Sequence, residues 1–303
     1  MNKTTLNYAT SFSGQAQPMG PKDMERLLHD PRVIETCEKQ QKVVEQPKNQ
    51  MTDKQNHRFV YQSNMYALDS FPCTAEVFDK LVDDPQVAWK INTRQAVDMA
   101  ISMGEPLDEF VQSPHFQRFC QNKLMKPSEY AFQTLTEEEK LSQWATSLKQ
   151  SLPCFIFGAS SFDQVMMKMK DGQERPCRRR LLTGIHLSGL FMFDADHLPF
   201  DPHELFEKTQ KKEFPWQLRL AHKTSSGHGL RLVLEARPEL GNIADNQIEL
   251  ARELGLFGVK GTTEKPVTDN SCIDASRVSY CPRREDILFI DYEKLFNFCK
   301  YEK

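Results

Sequence analysis

In the first half of the chain, apolar residues recur mainly at helical spacing, from about residue 60 to about residue 135. Thr74 and Thr93 each stand where they would cap the N-terminus of a helix, and Gly104 stands where the second helix would end. Thr136, with a glutamate three residues later, begins a capping-box pattern for a further amphipathic helix. We therefore predict a mainly helical region, preceded by a polar, disordered leader of roughly twenty residues.

The second half of the chain alternates apolar runs with helix signals. Asp201 and Pro202 provide an N-cap and a first helical residue, with Glu204 completing a capping box. Asp245 is a candidate N-cap for a second helix, which ends near Gly255. Four runs are typical of strands: GLFMFDA, LRLAHKT, LRLVLEA and ILFI. The elements thus follow the order β-α-β-β-α-β, with one extra segment before the last strand.

This order of elements predicts the fold class and the domain organisation. It is the order of ferredoxin-like and RNA-recognition-like domains, so we expect an α+β fold. The change of pattern divides the chain into a leader and helical accessory region, residues 1–135, and a second domain, residues 136–303. Fold alone does not give function, so the chemistry must be argued from particular residues.

A pair of aspartates ends the first of these strands. Residues two apart on a strand face the same way, so Asp194 and Asp196 would present their carboxylates together, with Phe193 and Ala195 on the opposite face. Two adjacent carboxylates repel each other, and a divalent cation relieves that repulsion. Oxygen ligands favour Mg²⁺ or Mn²⁺ over zinc. A strand that ends in two solvated aspartates would give the same pattern.

The segment from Lys223 to Arg231 concentrates hydroxyls, glycines and cations. Glycines allow close approach of the backbone to a ligand, and Ser226 and His228 would then lie where phosphate oxygens bind. The alternation of the following strand puts Arg231 on the face opposite its leucines, which does not reveal whether that face is the functional one. A Gly/Ser hairpin with an incidental histidine is the alternative.

A third segment, CIDASR, contains Asp274 followed closely by Arg277. By itself this pattern is weak, because an N-cap or an ion pair between these two residues would explain it. The pattern gains weight from its position, because it follows the aspartate pair and the hairpin along the chain.

Composition narrows the class of protein only slightly. Net charge is −3 at pH 7, so contact with nucleic acid would depend on local basic patches. The eight cysteines include no CxxC pair, which favours reduced thiols over a zinc site. Neither a signal peptide nor a membrane-spanning run is recognisable, so we expect a cytoplasmic protein without a membrane partner.

Taken in order, DxD on a strand, SxH in a hairpin and a later Asp resemble the three motifs of the archaeo-eukaryotic primase superfamily. The stretches LKQSLPCFIFGASSF, SSGHGLRL and DASRVSYCPRREDILFID are most similar to a bacterial prim-pol-like domain of mobile elements. That domain is often joined to a helicase of the virulence-associated-E type. The resemblance covers roughly residues 140 to 292. It implies a ferredoxin-like catalytic palm, and a helicase that either lies on a separate polypeptide or is not needed.

The resemblance also implies a role for each residue of the motifs. Asp194, Asp196 and Asp274 would be catalytic and would coordinate two Mg²⁺ or Mn²⁺ ions. The residues implied to bind nucleotide are Ser226, His228, Arg277, Lys223 and Arg231. The substrates would be NTPs or dNTPs on a single-stranded DNA template. We expect alanine at both positions of the DxD pair to abolish synthesis while leaving folding intact.

A basic run precedes the first motif. Arg178, Arg179 and Arg180 are consecutive, with Arg175, Lys168 and Lys170 nearby. One hypothesis is that this loop holds the backbone of the template or primer. A solvated loop would have the same composition.

Other functions remain open from the sequence. The main alternative is a nucleic-acid-binding or replication-initiation module that keeps the fold without catalysis. The third possibility is a different DxD enzyme, such as a glycosyltransferase or another type of nucleotidyltransferase. For a glycosyltransferase, the glycine-rich βα turn of a nucleotide-sugar domain is not recognisable.

Overall fold

The computed structural model describes residues 57–125, 127–169, 171–262, 265–268 and 270–297. The predicted N-terminal leader lies outside these ranges. Within them, helices combine with antiparallel sheets, so the predicted α+β class is confirmed. None of the helices in these ranges has both the length and the apolar character needed to cross a bilayer.

Strands and α-helices of the described residues are numbered here in chain order. The strands are β1 Phe59–Gln62, β2 Phe71–Cys73, β3 Cys154–Ile156, β4 Ala159–Phe162, β5 Gln164–Lys168, β6 Glu174–Arg178, β7 Ile185–Leu187, β8 Leu190–Ala195, β9 Leu218–Lys223, β10 Leu230–Glu235, β11 Ser279–Tyr280 and β12 Ile287–Ile290. The α-helices are α1 Ala75–Val82, α2 Pro85–Met103, α3 Asp108–Gln112, α4 Pro114–Leu124, α5 Glu137–Gln150, α6 Pro202–Thr209, α7 Ile243–Glu253 and α8 Tyr292–Phe296.

The central sheet has the strand order β12-β9-β10-β8, and every pairing in it is antiparallel. Its three longest strands, β8, β9 and β10, are the apolar runs that the sequence predicts, and β9 and β10 form the predicted hairpin. Because β10 lies between β8 and β9, the last two are parallel to each other and α6 connects them. This is a split β-α-β unit.

The fourth strand departs from the ferredoxin-like order. A ferredoxin-like sheet would place β12 beside β8, whereas β12 pairs with β9. The outer edge of β8 is instead approached by the chain near Val267, whose carbonyl accepts a 2.8 Å hydrogen bond from the Asp196 amide. The order of elements along the chain is therefore confirmed, but the complete ferredoxin-like arrangement is not.

A second sheet, in the order β11-β3-β1-β2, joins distant parts of the chain. Strand β1 pairs with β3, and β3 pairs with β11, which puts Ser279 opposite Phe155. The two halves of the sequence therefore share one sheet. Two small hairpin-like sheets, β4-β7 and β5-β6, complete the strand pairings.

Local capping explains where the helices of the first half begin. Thr74 caps α1, and Thr136 caps α5 with the predicted capping box. The prediction for Thr93 was wrong, because Asp84 and the proline after it start α2 earlier and Thr93 lies inside that helix. Gly104 ends α2 with a left-handed φ of 66°, as predicted.

Helix starts in the second half follow the same logic. Asp201 caps α6 as predicted, but through the His203 amide alone, without a capping box from Glu204. Helix α7 begins earlier than predicted. Asn242 is its N-cap, and Asp245 is its third residue, which completes a capping box with Asn242.

The two faces of the central sheet bury different clusters. On one face, the leucines of β10 pack with Phe191 and Phe193 of β8 and with α6 and α7. On the other face, Met192 and Val233 pack with the aromatic residues of β1 and β3. The predicted alternation of β10 is thus confirmed. Polar residues interrupt the second cluster at both ends of β10, and one of these ends is at the DxD pair.

Candidate active site

The two aspartates of the first motif lie where β8 ends. Asp194 is 2% exposed and faces away from Phe193 and Ala195, which are buried in the cluster of leucines. Asp196, just beyond the strand, is half-buried. Both carboxylates lie within electrostatic range of the Lys149 ammonium. The predicted separation of Asp194 from its apolar neighbours is therefore confirmed.

Arg231 lies on the same face of the central sheet as Asp194. It is directly opposite Asp194 in the pairing of β10 with β8. Its guanidinium forms a buried ion pair with Asp194 and donates to Ser279 Oγ at 3.2 Å. Burial opposes the charged form of Arg231, but Asp194 more than offsets that effect and raises the arginine pKa. Asp194 is thus partly neutralised within the protein.

His222 supports this pair from β9. It is opposite Arg231, and its Nδ1 lies 2.8 Å from the Lys223 carbonyl, so Nδ1 must carry the proton. Its Nε2 lies 3.3 Å from Ser279 Oγ and therefore accepts from that hydroxyl. Burial lowers the pKa of His222 to about 3, and the nearby Arg231 acts in the same direction. His222 is thus a neutral part of the frame that holds Arg231.

The SSGHG hairpin approaches Asp196 closely. A Cβ on Gly229 would collide with Asp196 Oδ1 and with the Ala195 carbonyl, so only glycine fits there. Gly227 has a left-handed φ of 81°, which the tight turn requires. Within the turn, Ser226 Oγ is 2.9 Å from Thr224 Oγ1. The first and second motifs are therefore adjacent.

The remaining residues of the second motif point elsewhere. Lys223 is opposite Leu230, which places it on the leucine face and not on the face of Asp194. His228 is exposed, and with Lys223 and Thr262 it lines a cleft of about 320 Å³. Neither Asp194 nor Asp196 is among the described residues that line this cleft. Lys223 and His228 thus line a cleft that is separate from the two aspartates.

The third motif forms a tight loop. Asp274 accepts hydrogen bonds from the Ser276 amide at 2.7 Å and from its hydroxyl at 2.9 Å, which is a local turn interaction. Arg180 donates to the Ser276 carbonyl at 3.3 Å. Burial lowers the pKa of Arg180 although Asp274 opposes this effect. The loop is tethered to the central sheet, because Gln247 donates to both the Met192 and Cys272 carbonyls.

The helical half supplies site residues that the sequence does not reveal. Arg94 on α2 donates to Ser225 Oγ at 2.8 Å, and Gln95 donates to the Ser225 carbonyl at 3.2 Å. Both therefore support the SSGHG hairpin from the first half of the chain. Lys149, at the end of α5, approaches the two aspartates from the same side. These residues are recognisable only after packing, because no local motif contains them.

The residues of the basic run differ in their surroundings. Arg178 and Arg179 are exposed, whereas Arg180 reaches the third motif. Arg178 also lines a cleft of about 410 Å³ together with His57, His186 and several serines. Arg175 forms an exposed ion pair with Asp171 at 2.7 Å. Lys170 lies outside the described residues.

The donor groups suit a hard cation, although they are only partly assembled. Among the described residues, no group of three His, Cys, Asp or Glu side chains converges as a metal cluster. Asp194 and Asp196 share one end of a strand, while the Asp274 carboxylate is held by Ser276. Oxygen-only donors match Mg²⁺ or Mn²⁺. None of the six described cysteines is in a disulfide.

Comparisons with known proteins add no family. No protein-family model matches the chain, and neither a curated protein nor a solved structure is similar enough to count as a relative. The functional argument therefore depends on the residues and on their geometry.

Proposed function

We propose that this protein is a primase-polymerase, a template-directed and divalent-metal-dependent nucleotidyltransferase. The observation that carries the proposal is the meeting of Asp194, Asp196 and the Gly229 hairpin at one end of a buried sheet. Around this end, the cations Arg94 and Arg231 lie within electrostatic range of Lys149. A polyanionic substrate bound with a hard cation would suit both sets of charges.

The catalytic domain of the proposal is residues 136–303, and residues 1–135 would be the accessory region. In this interpretation the split β-α-β unit of β8, β9 and β10 is the core of a ferredoxin-like palm of the archaeo-eukaryotic primase type. Strand β1 and helix α2 would then lie outside the palm and support it. Arg94, which donates to Ser225, supports that role.

The carboxylates have the oxygen chemistry for Mg²⁺ or Mn²⁺, with Asp194, Asp196 and Asp274 as the ligands. Bound divalent ions would lower the pKa of the attacking hydroxyl and stabilise the charge on the departing pyrophosphate. Arg231 keeps Asp194 oriented toward the carboxylate face through their ion pair. His222 and Ser279 fix that arginine in turn.

The residues proposed to bind the nucleotide surround this end of the sheet. Ser226 offers a hydroxyl within the hairpin, and Arg277 supplies charge from the third motif. Arg231 supplies charge on the carboxylate face. His228 and Lys223 line the neighbouring cleft, so we assign them to a part of the substrate that lies farther from the carboxylates.

For the template we propose the surface around Arg178 and Arg179. These side chains are exposed, and the cleft that Arg178 lines is about 410 Å³. A single DNA strand would be held there by salt-sensitive phosphate contacts. A cytoplasmic enzyme that works on mobile-element DNA completes the proposal.

Template-dependent nucleotide incorporation tests this proposal. Purified protein is incubated with single-stranded DNA and labelled NTPs or dNTPs, with or without primer, in Mg²⁺ and in Mn²⁺. The wild type should extend or start chains. Asp196→Asn, which keeps shape and disturbs no described ion pair, should lose at least about a hundredfold in rate. The exposed Glu213→Gln is the matched control. Incorporation by Asp196→Asn at the wild-type rate would overturn the assignment.

A second candidate function is a nucleic-acid-binding module without catalysis. Two observations favour it: Asp194 is already paired with Arg231, and Asp274 is bound to Ser276. Both contacts occupy carboxylate oxygens that a metal would otherwise bind. DNA binding by the wild type without any incorporation in either cation would establish this function instead.

A further inference from the structure

Lys149 occupies an unusual position for a lysine. It is in the last turn of α5, whose start is fixed by the capping box of Thr136, and its side chain is half-buried. The ammonium lies 5.2 Å from the centre of the Tyr280 ring. That ring is itself held, because the Tyr280 hydroxyl donates to Met65 Sδ at 3.1 Å. The lysine is therefore held in place by packing at the edge of the carboxylate face.

Its surroundings distinguish Lys149 from the other cations nearby. Arg231 is paired with Asp194, and Arg94 contacts Asp98 and Ser225. Among the described residues, the Lys149 ammonium has no hydrogen bond and no ion pair, and the Tyr280 ring is its partner. Burial and the neighbouring Arg94 lower the lysine pKa, while Asp196 opposes that effect.

A partly desolvated ammonium without a hydrogen-bond acceptor has lost hydration that the protein does not replace. An anionic ligand bound at Asp196 would supply the acceptors. We propose that Lys149 is a binding residue for the phosphate chain of the nucleotide, donating to its non-bridging oxygens, with Tyr280 as the side chain that positions it. This inference rests on the proposed function, because it names a contact within the same site.

Direct binding measurements test the role of Lys149. Lys149→Met keeps the length of the stem and removes only the ammonium. It should raise the Kd for a non-hydrolysable deoxynucleoside triphosphate with Mn²⁺ by about ten- to a hundredfold. This factor is what the loss of one charge-assisted hydrogen bond produces. Lys149→Arg should recover most of the affinity. In steady-state kinetics, Lys149→Met should raise KM for the nucleotide and leave KM for the template unchanged.

Lys140→Met is the matched control. Lys140 lies on the same helix and its ammonium is 5.9 Å from the Phe132 ring, so the variant loses the same kind of contact away from the carboxylates. It should bind nucleotide as the wild type does. Melting temperatures of all variants are measured to confirm that each folds.

Two negative results have different meanings. If the wild type binds the nucleotide and incorporates it, but Lys149→Met binds equally well, the role of Lys149 is overturned and the proposed function stands. If the wild type neither binds nor incorporates the nucleotide, both are overturned.

Discussion

Two buried ion-pair networks lie on the same face of the central sheet, one at each end of β10. At one end, Glu235 accepts from Arg58 and from Arg219. At the other end, Asp194 pairs with Arg231. The acidic side chains are 8% and 1% exposed, so burial alone does not distinguish the two ends.

The difference lies in how completely the protein itself satisfies the cations. Arg58 also donates to the carbonyls of Ser188 and Lys294, and Arg219 also contacts Asp291. The Glu235 end is thus satisfied by the described chain. At the Asp194 end, Lys149 has only an aromatic ring as its partner among the described residues. Both ends of β10 therefore contain buried charges, but among the described residues only the Asp194 end has a cation that could bind an anionic ligand.

The largest effect is expected from Glu235→Gln. This change leaves Arg58 and Arg219 buried with one carboxylate fewer, and should lower the free energy of unfolding by about 4–5 kcal/mol. Urea denaturation measures it. The loss should be the same with and without Mn²⁺ and nucleotide. The exposed Glu239→Gln, which breaks an ion pair with Arg237, should cost less than about 1 kcal/mol. A ligand-dependent loss in Glu235→Gln would contradict a purely structural role.

A smaller loss of stability is expected from Asp194→Asn. The structure revises the expectation that aspartates of the DxD pair can be replaced without affecting the fold, because this change leaves Arg231 buried beside a neutral group. The free energy of unfolding should fall by about 3 kcal/mol. Adding Arg231→Met should restore part of that stability without restoring incorporation. Recovery of activity in the double variant would show that the pair is only structural.

The smallest effect, when it is measured over a single pH unit, is on the pH dependence of stability. In the folded protein the pKa of His222 is about 3, against an ordinary value of 6.5. Between these two pKa values the unfolded chain binds a proton at His222 that the folded chain does not bind. The contribution of neutral His222 to stability is therefore fully present above pH 6.5 and is lost as the pH falls toward 3. The contribution is at most about 1.4 kcal/mol per pH unit. His222→Gln should flatten this slope, and the exposed His186→Gln should not. Equal slopes in all three proteins would exclude His222 as the cause.

Local sequence patterns predict the elements of the site well. Strand β8 and the hairpin between β9 and β10 follow from apolar runs and turn residues, and their register then fixes the partner of Asp194. Competition between similar caps explains the errors. Asp84 and Thr93 are both acceptable N-caps, and the proline after Asp84 favours the earlier start.

Tertiary packing determines what the sequence could not predict. Lys149 and Arg94 lie on helices whose own patterns specify only an amphipathic face, so their approach to the carboxylates depends on how α2 and α5 dock. The pairing of β12 with β9 likewise depends on the path of the chain near Val267, which lies along β8. A polar His222 within an apolar strand indicates a special role in the sequence alone. That role can be identified only from the strand register, which puts His222 opposite Arg231.

Hydrogen exchange of the two ends of β10 tests the central claim most directly. Peptides that span residues 224–231 and residues 235–242 are compared before and after addition of Mn²⁺ and a non-hydrolysable nucleoside triphosphate. If the Asp194 end is a nucleotide site, exchange should slow in residues 224–231 and stay unchanged in residues 235–242. Equal slowing of exchange at both ends, or no slowing in residues 224–231, would contradict the claim that the Asp194 end binds nucleotide.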